Sequence, residues 1–342
     1  MLSDLFGIGV VGYGYWGPNL ARNFAAQPGG RLVAICDRDP KRLAQAALAH
    51  PSAETTPDYE ALLRNPEIHA IAIATPVSHH FALAKAALLA GKDVFVEKPF
   101  TQTSAQGQEL VTLAERKGRI IAVDHTFLYT GAVRKIKELV DAHALGDLLY
   151  FDSVRINLGL FQQDVDVVYD LAPHDLSILM HLVGNAPVCV RAMGARYGNN
   201  PQDCLAYLHL EYANGFVAHF HFSWLAPVKI RKTVIAGTDK MVVYDDLEQS
   251  EKVKIYDKGI TIKSDADSVA KIKVAYRTGD MLAPKLEHRE ALAEEAAHFL
   301  QCVRDRETPL ADGRAGLAVV RIIEAAEQSL REGGSRARIA QD

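Results

Sequence analysis

The sequence predicts an α/β chain in two parts: an N-terminal domain built on a parallel sheet over residues 1–125, and a C-terminal α+β domain with an open, mostly antiparallel sheet over residues 126–342. Three observations carry this. The 342 residues exceed what one ordinary core holds, so two domains are expected. In the first third, continuous apolar runs alternate with helical patterns, the mark of strands buried on both faces. After about residue 126 the rhythm changes to closely spaced strand-like runs separated by turn residues.

Taken in order, residues 7–11 (GIGVV) read as the first strand and 15–26 as a helix. Residues 32–36 (LVAIC) are a second strand, followed by a helix over 40–50. Thr56, Pro57 and Glu60 mark a helix start, with the threonine as cap and the proline in the first turn. Residues 70–74 (AIAIA) form a strand, 81–90 a helix closed by Gly91, and 93–96 (DVFV) a strand. A helix over 103–117 ends on Gly118, and 119–123 (RIIAV) is one more strand. Beyond residue 126 come a helix over 132–142 and a strand over 147–157. Strands at 204–212, 216–224, 232–236 and 241–244 follow, with Ala213-Asn214-Gly215 and Gly237-Thr238-Asp239 as turns. Helices over 287–305 and 313–331 close the chain, and the polar stretch 252–273 reads as a surface excursion.

Composition removes several classes. Hydrophobic residues make up 49% and charged residues 23%, which are globular values, and the net charge of −4 offers nothing to nucleic acid or an anionic membrane. Cys36, Cys189, Cys204 and Cys302 form no CxxC pair, so neither a zinc knuckle nor a redox dithiol is expected. No secretory signal precedes the first motif, and no apolar run approaches the ~20 residues of a membrane helix, so a soluble, cytoplasmic protein is expected. Neither Gx4GK[ST] nor GxSxG occurs, which sets aside the common phosphoryl-transfer and serine-hydrolase chemistries.

Gly12-Tyr13-Gly14-Tyr15-Trp16-Gly17 is a GxGxxG placed after the first strand and opening a helix. Its glycines allow a tight turn, close approach of backbone to a pyrophosphate, and close helix–strand packing, while N–H groups at the helix start face the phosphates. Asp37 ends the second strand twenty residues beyond Gly17, where an acid takes the ribose hydroxyls. Together these predict a Rossmann domain that binds a dinucleotide. Asp37 favours NAD over NADP by repelling a 2′-phosphate, and Arg38 beside it softens that preference, so NADP stays open. Tyr13, Tyr15 and Trp16 are expected to pack around the cofactor. Thr75-Pro76 leaves the 70–74 strand and Glu97-Lys98-Pro99 leaves the 93–96 strand, both at the edge where open parallel sheets bind ligands. His79 and His80 follow; one borders the nicotinamide, or the pair caps the helix locally.

Hydride transfer from an alcohol carbon needs a group for the hydroxyl proton, and lysine or histidine serves. Lys98 and His174, the latter in Asp170-Leu171-Ala172-Pro173-His174-Asp175 at the start of a helical pattern, are the candidates, with Tyr169 in reserve. Arg155 and Asn157 either bind a phosphate or sugar hydroxyls or face solvent from their strand. His219 and His221 alternate on one strand face without a third ligand, so no metal is expected.

GxGxxG, then ATP, then EKP, then DxxxH, in this order, resembles the glucose-fructose oxidoreductase, inositol dehydrogenase and rhizopine-catabolism (Gfo/Idh/MocA) family. The likeness covers almost the whole chain, through the C-terminal EEAAHFLQCVRDRETPLADGRAGLAVVRIIEAAEQSL, and EKP is its most specific part. It implies a Rossmann domain plus an open α/β sheet domain whose sheet forms homodimer or homotetramer contacts. It also implies that Lys98 and His174 work at the reacting hydroxyl while Asp170 helps hold the substrate. Pro173 stands where many members have glycine, and RINLGLFQQDVDVVYDLAPHDLSIL looks like members of nucleotide-sugar pathways that act at C3 of a sugar. The function so implied is an NAD(P)-dependent sugar or nucleotide-sugar 3-dehydrogenase or 3-ketoreductase. An inositol or free-sugar dehydrogenase is the enzymatic alternative. A non-catalytic NAD(P)-sensing regulator on the same fold is the alternative of another class, and it has no need of both Lys98 and His174.

Overall fold

The structure, a computed structural model, describes residues 5–159, 165–198, 200–257 and 279–341, together with the backbone of two strands at 259–263 and 273–277. The chain divides into two compact units. Met1–Thr130 and Arg289–Arg321 make the first; Gly131–His288 and Ile322–Asp342 make the second. The expected division at residue 125, with everything after it in the second domain, differs from this. Residues 289–321 return to the first unit, and the reason lies in how its sheet is covered.

The first unit holds β1 (Phe6–Val11), α1 (Gly17–Ala26), β2 (Gly30–Cys36), α2 (Pro40–Ala49), β3 (Glu54–Thr56), α3 (Tyr59–Arg64), β4 (Ala70–Ile73), α4 (Val77–Leu89), β5 (Asp93–Val96), α5 (Ser104–Lys117) and β6 (Ile121–Val123). Six parallel strands pair in the order β3-β2-β1-β4-β5-β6, so the order reverses between β1 and β4. Continuous apolar strands are what a sheet buried on both faces requires, and β4 and β5 are buried throughout.

One face packs on Leu62, Ala84, Leu88, Leu110 and Leu113 from α3, α4 and α5. The opposite face has α1 over its centre, which leaves Phe95 and Ala122 of β5 and β6 in need of cover. Leu292, Ala296, Phe299 and Leu300 of α8 (Ala291–Asp305), from the far end of the chain, supply it. Phe24, Phe95 and Phe299 meet edge-on there with ring centres 5.4 to 6.0 Å apart. One local reading also changes. Thr56 closes β3, and the cap of α3 is Asp58, whose side chain accepts the Glu60 N–H.

The second unit contains α6 (Gly131–Asp141), β7 (Leu148–Leu158), α7 (Val167–Val183), β8 (Cys189–Ala195), β9 (Leu205–Glu211), β10 (Val217–Ser223), β11 (Leu225–Gly237), β12 (Met241–Asp245), β13 (Val253–Tyr256), β14 (Gly259–Lys263), β15 (Lys273–Arg277), β16 (Met281–Leu282) and β17 (Ala337–Arg338). Helix α9 (Gly313–Arg331) begins in the first unit and ends in the second. Nine strands pair in the order β16-β13-β12-β11-β7-β10-β9-β8-β17; β7 and β10 run parallel and every other pair is antiparallel. Residues alternate between a buried and a more open face along β7, β9 and β10. Strands β13 and β14 fall within 252–273, the stretch expected to be a surface excursion: β13 is instead a strand of the nine-stranded sheet, and β14 pairs with β15, which begins at residue 273; the rest of 258–278 lies outside the described residues. Among the described residues no helix is long and apolar enough to cross a membrane.

Candidate active site

A parallel sheet sends all its strand ends to one edge, and the loops after β1, β2, β4 and β5 leave from there, around the reversal between β1 and β4. Gly12 has φ of +90°, and a Cβ on Gly17 would stand 2.0 Å from the Gly12 carbonyl oxygen, so both positions need glycine for the turn itself. Gly14 differs, since a Cβ there would meet only the Arg42 guanidinium, at 3.6 Å. The fold leaves that space open, as close approach of a pyrophosphate requires. Helix α1 starts at the next glycine with no side-chain cap; Pro18 carries no N–H and the Asn19 N–H donates to the Trp16 carbonyl at 2.9 Å, so the Gly17 N–H is what the helix start offers an anion.

Asp37 is buried at the end of β2, where its Oδ2 accepts the Tyr13 N–H at 2.6 Å and its Oδ1 accepts the Asp39 N–H at 2.8 Å. The carboxylate thereby pins the glycine loop. Arg38 is exposed. The guanidinium nearest the carboxylate belongs to Arg42, 3.6 Å from Asp37 Oδ2, a residue the sequence reading missed. Its signal was weak: Arg42 lies in the first turn of α2, five residues after Asp37. Tyr13 is core, edge-on to His50, whereas Tyr15 (85% exposed) and Trp16 (43%) stand out from the loop, edge to face with each other.

At the end of β4, Thr75 Oγ1 is buried with no hydrogen-bond partner among the described residues. Such an orphan fits a site built for a bound group. Pro76 and His79 are exposed beside it. His80 is the buried member of the histidine pair at 1% exposure, and it caps nothing. Its Nδ1 lies 2.9 Å from the Pro99 carbonyl and its Nε2 lies 2.7 Å from the Thr75 carbonyl. The ring lies between the loop after β4 and the loop after β5; burial lowers its pKa, so it is neutral with one N–H, which donates to one of the two carbonyls at a time. Lys98 is partly exposed, and Glu97 beside it is buried and accepts the Lys98 N–H at 3.2 Å. Taken together, the glycine loop, Asp37, Thr75 and the helix start fit NAD.

In the second unit, α7 is capped by Asp166, whose Oδ1 accepts the Val168 and Tyr169 N–H groups. Asp170 and His174 follow four residues apart, on one face of the helix. The Trp224 indole donates to Asp170 Oδ2 at 3.0 Å, which fixes that carboxylate. Pro173 sits inside the helix, where it removes the N–H that would have reached the Tyr169 carbonyl. Tyr169 is half-buried and, with burial and the Glu327 and Glu324 carboxylates beside it, its hydroxyl is held far above its ordinary pKa, which keeps it protonated near neutral pH and so unable to serve as a base there.

The expectation for Arg155 changes. The residue is 3% exposed, and its Nε and Nη2 donate to Asp175 at 2.7 and 3.0 Å, so it neither faces solvent nor offers its fork to a phosphate. Strand alternation puts Asn157 on the same face, partly exposed. His219 and His221 both lie on the open face. His219 bonds His209 and Asp152, and His221 stacks on Tyr207. No group of three potential metal ligands occurs among the described residues.

Comparison with known proteins supports the same picture. The model of an oxidoreductase family with an NAD-binding Rossmann fold matches residues 6–125, and the model of that family's C-terminal α/β domain matches residues 137–338. The chain is 29% identical over 315 residues to a UDP-N-acetylglucosamine 3-dehydrogenase of Acidithiobacillus ferrooxidans, covering 91% of this chain and 93% of that one. A solved structure of that enzyme superposes with a TM-score of 0.82 at 27% identity, over 95% and 98% of the two chains. A scyllo-inositol 2-dehydrogenase (NAD(+)) of Bacillus subtilis is 26% identical over 344 residues, 96% of this chain and 94% of that one. Levoglucosan dehydrogenase, solved with NADH and levoglucosan, shares the fold with a TM-score of 0.84 at 21% identity, over 98% and 100% of the chains.

Proposed function

The chain belongs to the Gfo/Idh/MocA oxidoreductase family, and on that premise we propose that it is an NAD-dependent dehydrogenase, or ketoreductase in reverse, acting at C3 of a nucleotide-linked sugar. The observation that carries the reading is the pair of built elements. Lys98 stands at the same strand-end edge as the glycine loop, and Asp170 and His174 stand one turn apart on α7 with Asp170 fixed by Trp224. The 3-dehydrogenase acting on a UDP-linked sugar, similar over 91% of the chain, favours a nucleotide sugar over other polyols.

The nicotinamide, when bound, accepts or returns the hydride. The protein does the rest. His174 takes the hydroxyl proton as the C–H bond breaks, Lys98 stabilises the charge that develops on the oxygen, and Asp170 holds a neighbouring hydroxyl. Asp37 holds the ribose hydroxyls and favours NAD, while Arg42 lies close enough to Asp37 for NADP to be tolerated. The inositol dehydrogenase relative supports a second reading, a cyclic polyol oxidised by the same residues.

A panel of UDP-sugars, free sugars and inositols, followed by nicotinamide absorbance, separates the two. Turnover of a UDP-sugar with kcat/KM at least tenfold above any inositol is expected; the reverse order overturns the nucleotide-sugar assignment. Absorbance unchanged by every member of the panel, with NAD bound, overturns the enzymatic reading in favour of a sensor.

A further inference from the structure

Behind Lys98 the first unit buries three carboxyl groups from three elements: Glu97 after β5, Asp124 after β6, and Glu295 on α8. Burial of three charges in one place is prohibitive, so protons must be shared. Where those protons sit follows from counting donors and acceptors. Glu97 uses Oε2 to accept the Lys98 N–H, and Glu295 uses Oε1 to accept the His125 N–H at 3.1 Å. The other oxygen of each, Glu97 Oε1 and Glu295 Oε2, is buried and reached by no donor among the described residues. The fold nevertheless sets both glutamates next to Asp124: the Asp124 N–H donates to the carbonyl of Val96, the residue before Glu97, at 2.7 Å, and Glu295 holds the N–H of His125, the residue after Asp124. Two carboxyl groups bond only if one carries a proton. Asp124, for its part, already accepts both the N–H and the hydroxyl of Thr126 through Oδ1. It is the natural acceptor, and the two orphan oxygens are the natural donors.

We infer that Glu97, Asp124 and Glu295 form one buried carboxyl chain, an ionised Asp124 between two protonated glutamates, which holds a single negative charge beside Lys98 and so positions its ammonium. The inference rests on the reading of Lys98 as a reacting group, and it makes Asp124 and Glu295 positioning residues that lie outside the EKP motif.

The other groups facing the chain agree with this. Lys98 acts on both Glu97 and His125. His125, 1% exposed with neither ring nitrogen bonded among the described residues, is pushed down to about 4 by burial and by Lys98, so it stays neutral and adds no positive charge. Tyr129 feels both Glu295 and Asp124, and its hydroxyl pairs with His298 Nδ1 at 2.9 Å. Burial, followed by Asp124, pushes both Glu97 and Glu295 well above the ordinary carboxyl range.

Two measurements on the full-length protein test the chain. Infrared difference spectra at neutral pH, wild type minus Glu97→Gln and wild type minus Glu295→Gln, should each show the loss of one protonated-carboxyl stretch. Absence of that band from both spectra overturns the inference. In the second, Asp124→Asn should lower kcat by about tenfold while substrate KM and the NAD Kd stay within twofold, because the ammonium is no longer held in place. A kcat equal to wild type overturns the positioning role.

Should Asp124→Asn fail to fold, Glu295→Gln and Glu295→Leu decide. Glutamine keeps a donor for Asp124 and an acceptor for the His125 N–H, so it should retain about tenfold more kcat than leucine; equal losses overturn the proposal. A Lys98→Ala enzyme with wild-type turnover would instead remove the catalytic reading of Lys98, and the infrared bands would still decide the carboxyl chain.

Discussion

In the first unit six parallel strands deliver their loops to one edge, and the glycine loop, Asp37, Thr75 and Lys98 collect there without any of them lying in a strand interior. In the second unit the sheet is mostly antiparallel, its strand ends are divided between two edges, and the polar residues of interest stand on helix α7 instead. The contrast teaches that two solutions to positioning coexist in one chain. One uses backbone turns whose geometry glycine permits. The other uses a helix face with side chains locked by partners, Asp170 by Trp224 and the cap of α7 by Asp166. Damage should therefore differ between them. A substitution at the strand-end edge changes binding or rate, whereas one beneath α7 changes stability as well.

The largest expected effect comes from the proposed reacting groups. Lys98→Ala and His174→Ala should each lower kcat by about 10²-fold or more, the usual scale for a positioned acid–base or charge-stabilising group. NAD affinity should change little, as measured by titration of the purified variants. Next is Arg155→Ala, which leaves Asp175 buried without its partner. It should cost about 3–5 kcal/mol of stability in denaturant unfolding, and a loss below 1 kcal/mol would show that the pair contributes little.

Asp37→Ser should weaken NAD and raise the NADP-to-NAD preference by roughly tenfold, the scale of a charge-assisted hydrogen bond. It should also loosen the glycine loop, since Asp37 Oδ2 bonds the Tyr13 N–H. The smallest effect is a pH dependence. Burial, then a hydrogen bond to Asp166, push Glu327 in the second unit up to about 9. Because its folded value lies above the unfolded one, its contribution is fully present below about 4.3 and is lost as pH rises toward 9. Glu327→Gln should leave the melting temperature nearly unchanged at pH 5 and raise it progressively toward pH 9, as thermal unfolding would show. A drop across that range would place a charged Glu327 in the native state.

The two units also differed in how far their residues announced them. Strand β4 is apolar at every position and β5 at every position after Asp93, so AIAIA and DVFV could be read directly, and Gly12, Gly14 and Gly17 carried the turn with them. Strand β8 was missed because CVRAMGA mixes small, charged and apolar residues, and β17 and β16 are two residues long. The return of α8 to the first unit was not legible, since an amphipathic helix states that it covers something and not what. Asp170 and His174 were legible as a motif. The Arg155–Asp175 pair was not, because a strand arginine reads equally as solvent-facing until its partner, twenty residues on, is placed. Glu295 was hidden for the same reason: in EEAAHF it looks like one more surface acid, and only the fold buries it beside Asp124.

The proposal that Lys98 and His174 act on one hydroxyl is tested most directly by kcat for Lys98→Ala, His174→Ala and the double variant on the preferred UDP-sugar. Groups that serve one proton and one oxygen act as a unit, so the double variant should lose little more than the worse single one. Losses that multiply, about 10⁴-fold from two factors of 10², would mean that the two residues act independently and would contradict a shared reacting centre.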